Sequence, residues 1–219
     1  MVDQLLLNFP TNSDYFKDDF YVSLSNKEAF ELIESWPKWI KRTVNIHGPK
    51  GSGKTHLASI LKNKASSFEI QSDKITEKIF PTYKLKEILI VENYQTNIPE
   101  NLFFSIYNMA LQDNKYLLIT SEFPINTYKI KTPDLKSRID SSTIVGIKLP
   151  SDDLISVILS KRFSDKQIMV EKNHIDYIVK RIDRSYEKIS QFILTLDKYS
   201  LKKGSPFGLK LIKEVLKMM

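Results

Sequence analysis

The chain contains no cysteine, which rules out disulfides and thiolate metal sites and suits a reducing cytoplasm. Its three histidines, His47, His56 and His174, are too scattered to suggest a metal cluster. No apolar run approaches the roughly 20 residues that a membrane helix requires, so no membrane partner is expected. The N-terminal "LLL" lacks the basic flank of a secretory signal. Arginine is also scarce. Only Arg42, Arg138, Arg162, Arg181 and Arg184 stand among 33 basic residues, and the formal charge of +7 comes mostly from lysine. Lysine spread along a chain reads as a solvated surface rather than a dedicated DNA-binding stripe. Where arginine persists against that background, its planar bidentate geometry is the expected reason.

With 219 residues, 42% hydrophobic and 27% charged, the chain can bury a substantial core in one large domain or a medium domain with a smaller partner. "SNKEAFELI" has the form of a capping box, Ser25 with Glu28 three residues on, and predicts a helix to about Glu34. "TVNIHG", "FEIQ", "EILIVE", "YLLITS" and "TIVGIKL" read as buried strands with helical segments between several of them. That alternation predicts an α/β fold, a mostly parallel sheet covered on both faces. After "KLPSDD" the strand signals fade, and apolar residues recur at helical spacing through Leu154, Val157 and Ile158, then Ile175 to Ile182, Ile189 to Leu196, and Leu209 to Leu216. The expected organisation is an N-terminal peptide over 1–12, an α/β nucleotide-binding domain over 13–150 and a small helical domain over 151–219.

The strongest motif is Gly48-Pro49-Lys50-Gly51-Ser52-Gly53-Lys54-Thr55, which satisfies G-x-x-x-x-G-K-[ST] between a predicted strand and a predicted helix. Glycines let backbone N–H groups turn toward phosphate oxygens, and the helix N-terminus adds positive potential. Lys54 would reach the β- and γ-phosphates, and Thr55 would ligate Mg2+. In such proteins a second apolar strand ends in acids that hold Mg2+ and polarise the attacking water. Here "ILIVEN" puts Glu92 and Asn93 at those positions. Glu92 can hold a magnesium water, whereas Asn93 cannot accept a proton as a carboxylate could. The expectation is nucleotide binding with weak intrinsic hydrolysis; the alternative is that "EN" only caps a buried strand. "LLITSEFP" ends a further strand in Thr120, Ser121 and Glu122, which suits either monitoring of a γ-phosphate or plain turn satisfaction. "TPDLKSRI" sets Arg138 beside a helical turn, where it reads as a surface residue or as an arginine finger for a neighbouring subunit.

With these pieces in order, the chain resembles the AAA+ family, and within it the DnaA/Hda branch of replication proteins. "FYVSLSNKEAFELIESWPKW", with Tyr21 and Val22, is similar to the linker that folds over adenine. "GPKGSGKTHLA" resembles that branch's phosphate loop as far as His56 and Leu57. "PDLKSRI" is similar to its arginine-finger box, and "SKRFSDKQIMV" with "VKRIDRSYEKI" to an Hda-type lid. The resemblance implies an AAA+ P-loop αβα sandwich followed by a helical lid, and bound ADP or ATP with Mg2+. It implies a lid arginine on the nucleotide, with Arg184 or Arg181 as candidates and Ser190 in the register where that arginine belongs. Because the chain stops at Met219, no helix-turn-helix domain of the DnaA kind is expected. Gln4-Leu5-Leu6-Leu7-Asn8-Phe9 is similar to peptides that dock on the replicative sliding clamp, with Leu5, Leu7 and Phe9 as anchors and Gln4 as the polar contact. An apolar strand packed on its own sheet would read the same. The implied function is an Hda-like regulator in the nucleoid-associated cytoplasm. Recruited by the DNA polymerase III sliding clamp (its beta subunit), and so to DNA indirectly, it would promote hydrolysis of DnaA-bound ATP through Arg138. The resemblance also allows a homo-oligomer. The alternatives are a DnaC-like helicase loader or DNA-acting ATPase, and a nucleotide-locked scaffold.

Overall fold

A computed structural model describes residues 17–166, 168–203 and 208–219. The first strand, β1 (Thr43–His47), follows helix α1 (Lys27–Glu34) and leads into α2 (Lys54–Lys62). Then come β2 (Ser67–Gln71), α3 (Ile79–Lys84), β3 (Ile88–Tyr94), α4 (Glu100–Gln112), β4 (Tyr116–Ser121), α5 (Pro133–Asp140) and β5 (Thr143–Gly146). The five strands are all parallel, in the order β2-β3-β4-β1-β5. Parallel strands need covered faces, and β3 and β4 carry the apolar runs that such burial demands. Alternate side chains divide between the layers. Leu89, Val91, Leu117 and Ile119 pack with Phe103 and Tyr107 of α4, whereas Ile88, Ile90 and Leu118 pack with Leu57 and Leu61 of α2.

Four helices follow: α6 (Asp152–Asp165), α7 (Lys172–Val179), α8 (Tyr186–Lys203) and α9 (Leu209–Lys217). Their inward residues form a separate apolar cluster that includes Leu159, Phe163, Ile178, Phe192, Leu196 and Val215. Ser151 opens α6 as its N-cap, its hydroxyl accepting from the Leu154 N–H at 3.3 Å. The capping box expected at Ser25 does not form. Asn26 is the N-cap of α1, and its side chain turns back to accept from the Ser23 N–H at 2.7 Å and donate to the Tyr21 carbonyl at 3.0 Å. Ser25 instead shares a hydrogen bond with the Ser23 hydroxyl. The cap has been traded for a fixed path of the preceding segment. The peptide Gln4 to Phe9 lies outside the described residues.

Parallel topology brings every strand's C-terminal end to one edge, which is where ligands of open α/β sheets bind. His47 at the end of β1 lies in register with Ser121 at the end of β4. The β3–β4 register shifts between Val91 and Tyr94, a bulge that re-aims the two intervening side chains. Glu92 turns inward and is buried, while Asn93 adopts φ 55° and is exposed. Asparagine tolerates this left-handed conformation better than most residues.

Candidate functional site

The loop after β1 is shaped by its glycines. Gly53 has φ 94° and is the residue before α2, and a Cβ there would meet the Phe20 ring at 3.0 Å. Gly51 has φ 81° and faces Tyr186 from the lid, 3.2 Å from where its own Cβ would sit. Both positions combine a left-handed backbone with a close neighbour, so glycine is required twice over. The turn places Lys54 at the start of α2 with its amine folded back into the loop, donating to the Gly48 carbonyl at 2.7 Å and the Pro49 carbonyl at 2.9 Å. Burial lowers the amine's pKa, and Glu122 and Glu92 pull it the other way. Two polar atoms of this cradle, Ser52 Oγ and Glu92 Oε1, are buried without a hydrogen-bond partner. A hydroxyl donor, a lysine amine and helix-start N–H groups fit phosphate oxygens, and an orphaned carboxylate oxygen fits a magnesium water. The donor set therefore suits a magnesium nucleotide, whose bound metal would withdraw charge from the phosphates. Among the described residues no three His, Asp or Glu side chains cluster as a metal-binding set of their own.

A cleft of about 900 Å³ runs from this loop to the lid. Lys50 to His56 form its floor, with Asn93, Tyr94, Gln95 and Glu122 at the sheet edge. Tyr21 stands on its wall; Val22, expected beside it, is exposed and outside the lining. Phe20 opens the linker-like stretch, where the sequence singles out only Tyr21 and Val22. It stacks on Phe30 with ring centroids 5.6 Å apart and meets His56 edge-on at 5.1 Å, so the segment before α1 is clamped over the phosphate loop. From the lid, Leu154, Val157 and Ile158 present an apolar wall beside Lys161 and Arg162 of α6 and Ser190 of α8. Lys161 bridges the cleft to Asp19, its amine 2.5 Å from a carboxylate oxygen.

Other expectations meet a different arrangement. Arg184 lies in the connection between α7 and α8, not on a helix and not in the cleft, and its guanidinium pairs with Asp152 at 3.0 Å through two nitrogens. Arg181 also lies beyond the end of α7 and packs on Tyr177, its guanidinium carbon 3.7 Å from the ring centre. The lid arginine that does line the cleft is Arg162, one helix earlier. Ser121 is fully buried, accepting from the Asn45 amide at 2.8 Å and donating to the Phe123 carbonyl at 2.7 Å. Its hydroxyl is committed to the turn, and the adjacent Glu122 is the residue that faces the cleft. Arg138 is exposed on α5, outside the cleft of its own chain.

Glu92 and Asn93 occupy distinct chemical settings. Asn93 donates from its amide to Gln71 Oε1 at 2.8 Å, and Gln71 in turn donates to Glu92 Oε2 at 2.8 Å. Burial raises the Glu92 carboxyl above its ordinary range, and Glu69 adds to this. Hydrogen bonds from Thr55 and Gln71 and the charge of Lys54 oppose it. A carboxyl raised in the folded state favours folding while protonated, so that contribution is present below the ordinary carboxyl pKa. It is lost as pH rises from there through the folded value. Glu92→Gln is therefore expected to stabilise the nucleotide-free protein at neutral pH. The gain should vanish below about pH 4, while the dependence of nucleotide affinity on Mg2+ weakens. Thermal unfolding across pH and calorimetry with and without Mg2+ check both halves.

No known family profile matches the chain. Its sequence is 26% identical over 232 residues to the chromosomal replication initiator protein DnaA of Campylobacter jejuni strain 81-176, covering 94% of this chain and 53% of that protein. Similarity to DnaA of Leifsonia xyli is 21% over 232 residues, covering 94% and 49%. The chain thus spans about half the length of the curated relatives it matches. Domain III of the Thermotoga maritima replication initiation protein DnaA superposes with a TM-score of 0.77 at 19% identity, covering 95% of this chain and 98% of that one. Replication initiator DnaA bound to AMPPCP and single-stranded DNA gives 0.70 at 18% identity, over 88% and 69%. The Thermotoga maritima RuvB Holliday junction branch migration motor gives 0.67 at 14% identity, over 89% and 68%. The chain has the αβα P-loop fold of AAA+ proteins and is similar in sequence to DnaA along nearly its whole length.

Proposed function

We propose that this chain is an adenine-nucleotide-binding AAA+ regulator of replication initiation of the Hda kind, which holds its own nucleotide and helps DnaA hydrolyse one. The observation that carries the reading is the contrast within one site. The phosphate cradle is complete, with Lys54, Thr55 and a buried Glu92 in contact range. Yet the neighbouring position that would activate water holds Asn93, its amide tied to Gln71. A cradle that keeps its metal-binding carboxylate and lacks a basic one beside it favours retention over turnover. On the lid, α8 offers Ser190 to the cleft in the register where the resemblance places an arginine, while Arg162 of α6 lines the same cleft. The resident nucleotide is ADP or ATP with Mg2+. A DnaA structure with AMPPCP supports the adenine class. Arg138, on the outer face of α5, is the residue proposed to complete a composite site in trans on ATP-bound DnaA, and Gln4, Leu5, Leu7 and Phe9 to dock on the sliding clamp.

The test is a phosphate-release assay on the isolated chain and on the chain mixed with ATP-loaded DnaA and clamp loaded on DNA. Hydrolysis alone is expected to be barely above background, and hydrolysis in the mixture is expected to rise by about 10³-fold or more over DnaA alone. Brisk, clamp-independent turnover by the isolated chain would reject the regulator.

A further inference from the structure

We propose that the outer face of the lid formed by α7 and α9 binds the phosphate backbone of nucleic acid. The positive charge of the chain is not spread evenly. Residues 151–219 hold 14 lysines and arginines against nine acidic residues, and from Lys198 onward there are six lysines and a single acid, Glu214. The body, residues 1–150, carries 19 against 17 and is close to balanced.

The fold concentrates this excess further. On α9, Leu211, Ile212 and Val215 are buried in the lid core, while Lys210, Lys213 and Lys217 are exposed on the opposite side. Spacings of three and four residues put the three lysines on one stripe about 10 Å long. That is the rise of about three nucleotides along one duplex strand. Helix α7 packs against α9, and Tyr177 of α7 gathers two cations, the Arg181 guanidinium carbon at 3.7 Å from its ring centre and the Lys213 amine at 5.6 Å. The Arg181 Nη1 also donates to the Tyr177 carbonyl at 3.3 Å. The result is a guanidinium over an aromatic ring beside Lys213, the middle lysine of the stripe.

Intrinsic helix energetics do not account for the arrangement. Arg181, just past the C-terminus of α7, complements that helix's dipole, but Lys210 lies in the first turn of α9, where positive charge is unfavourable. Like charges three and four residues apart also repel, and Glu214, four residues after Lys210 and three before Lys217, offsets part of that repulsion. A polyanion along the stripe relieves what remains. A stacked guanidinium beside evenly spaced amines suits a repeating phosphate with accessible bases better than the clustered carboxylates of an acidic peptide. This proposal does not depend on the regulator reading, since it concerns a face away from the nucleotide cleft.

The experiment measures fluorescence anisotropy of labelled single-stranded and duplex oligonucleotides titrated with the full chain, without nucleotide, over a range of salt. Two variants change formal charge equally: K210E/K217E on the lid and K74E/K78E on exposed positions of the body. The lid variant is expected to bind about tenfold or more weakly, with the slope of log affinity against log salt reduced by about two, and the body variant to stay close to the parent. K210Q/K217Q should show a smaller loss in the same direction, and unchanged thermal unfolding shows that the lid remains folded. Equal losses from both charge-reversal variants, no binding by the parent at low salt, or a lid variant that loses polyglutamate while retaining DNA would each overturn the proposal.

Discussion

Lys54→Ala is expected to lower the affinity for ADP and ATP by about a hundredfold or more, the largest effect of any single side chain at the site. The lysine is only 9% exposed and lies within the loop, held by the carbonyls of Gly48 and Pro49. Those two bonds keep the amine inside the loop that the motif assigns to the phosphates. Moving from neutral carbonyls to charged phosphate oxygens makes its hydrogen bonds charge-assisted on both sides, each worth about 1.5–3 kcal/mol. Two of them correspond to the expected loss. The nucleotide-free fold should change far less. Its buried amine has a lowered pKa, so the charged form is a burden on the folded state at neutral pH. That burden lifts only as pH climbs through the lowered value toward the ordinary lysine range. Deleting the amine removes the burden and two backbone contacts together, and these offset one another. Calorimetry gives the affinity, and a thermal-shift series with ADP separates ligand stabilisation from intrinsic stability. A variant that keeps its nucleotide within a few-fold of the parent would show that the cradle is not where phosphates bind.

The difference between what the residues announced and what they concealed follows from the range of the interactions. The positions of Lys54, Thr55 and Glu92 about one loop were legible because the signals are local: a glycine turn between strand and helix, and an apolar strand ending in an acid. The parallel sheet followed from the same local signals. Ser121 was ambiguous because its partner, Asn45, is 76 positions away on β1, and only the β1–β4 pairing joins them. Arg184 was misplaced for a similar reason, since Asp152 captures it across 32 positions after α7 has already ended. Arg162 went unassigned because α6 is apolar on two sides. Ile155, Leu159 and Phe163 fill the lid core while Leu154, Val157 and Ile158 face the cleft. A helix buried on two faces has no clean amphipathic stripe from which to read its polar neighbours. The basic stripe of the lid was missed because total charge, taken over the whole chain, hides where helical spacing collects it.

Arg138→Ala is expected to reduce clamp-dependent hydrolysis of DnaA-bound ATP by about 10³-fold, while leaving this chain's own nucleotide affinity unchanged. The mounting of the residue supports that expectation. Leu135 and Ile139 bury the inner side of α5, so Arg138 points outward from a helix fixed to the body. The helix start is pinned by Glu100, whose carboxylate accepts from the Lys131 and Thr132 N–H groups at 2.9 and 2.8 Å and from the Thr132 hydroxyl at 2.5 Å. These bonds, the hydroxyl's foremost, hold the Glu100 carboxyl below its ordinary range. At the other end the hydroxyls of Ser141 and Ser142 donate to the carbonyl of Arg138 itself, at 2.7 and 3.3 Å. Among the described residues the guanidinium enters none of the ion pairs. A rigid base with a fork outside those ion pairs suits a transition-state contact across an interface, because docking then orders one side chain and not the helix beneath it. Arg138→Lys discriminates further. Lysine keeps the charge but not the planar pair of donors, so most of the stimulation should still be lost if the contact is bidentate. Phosphate release from preloaded DnaA, followed with parent and both variants, decides the matter. If alanine stimulates as well as arginine, the exposed fork has no catalytic partner, and the chain acts on DnaA, if at all, only by occupying its surface.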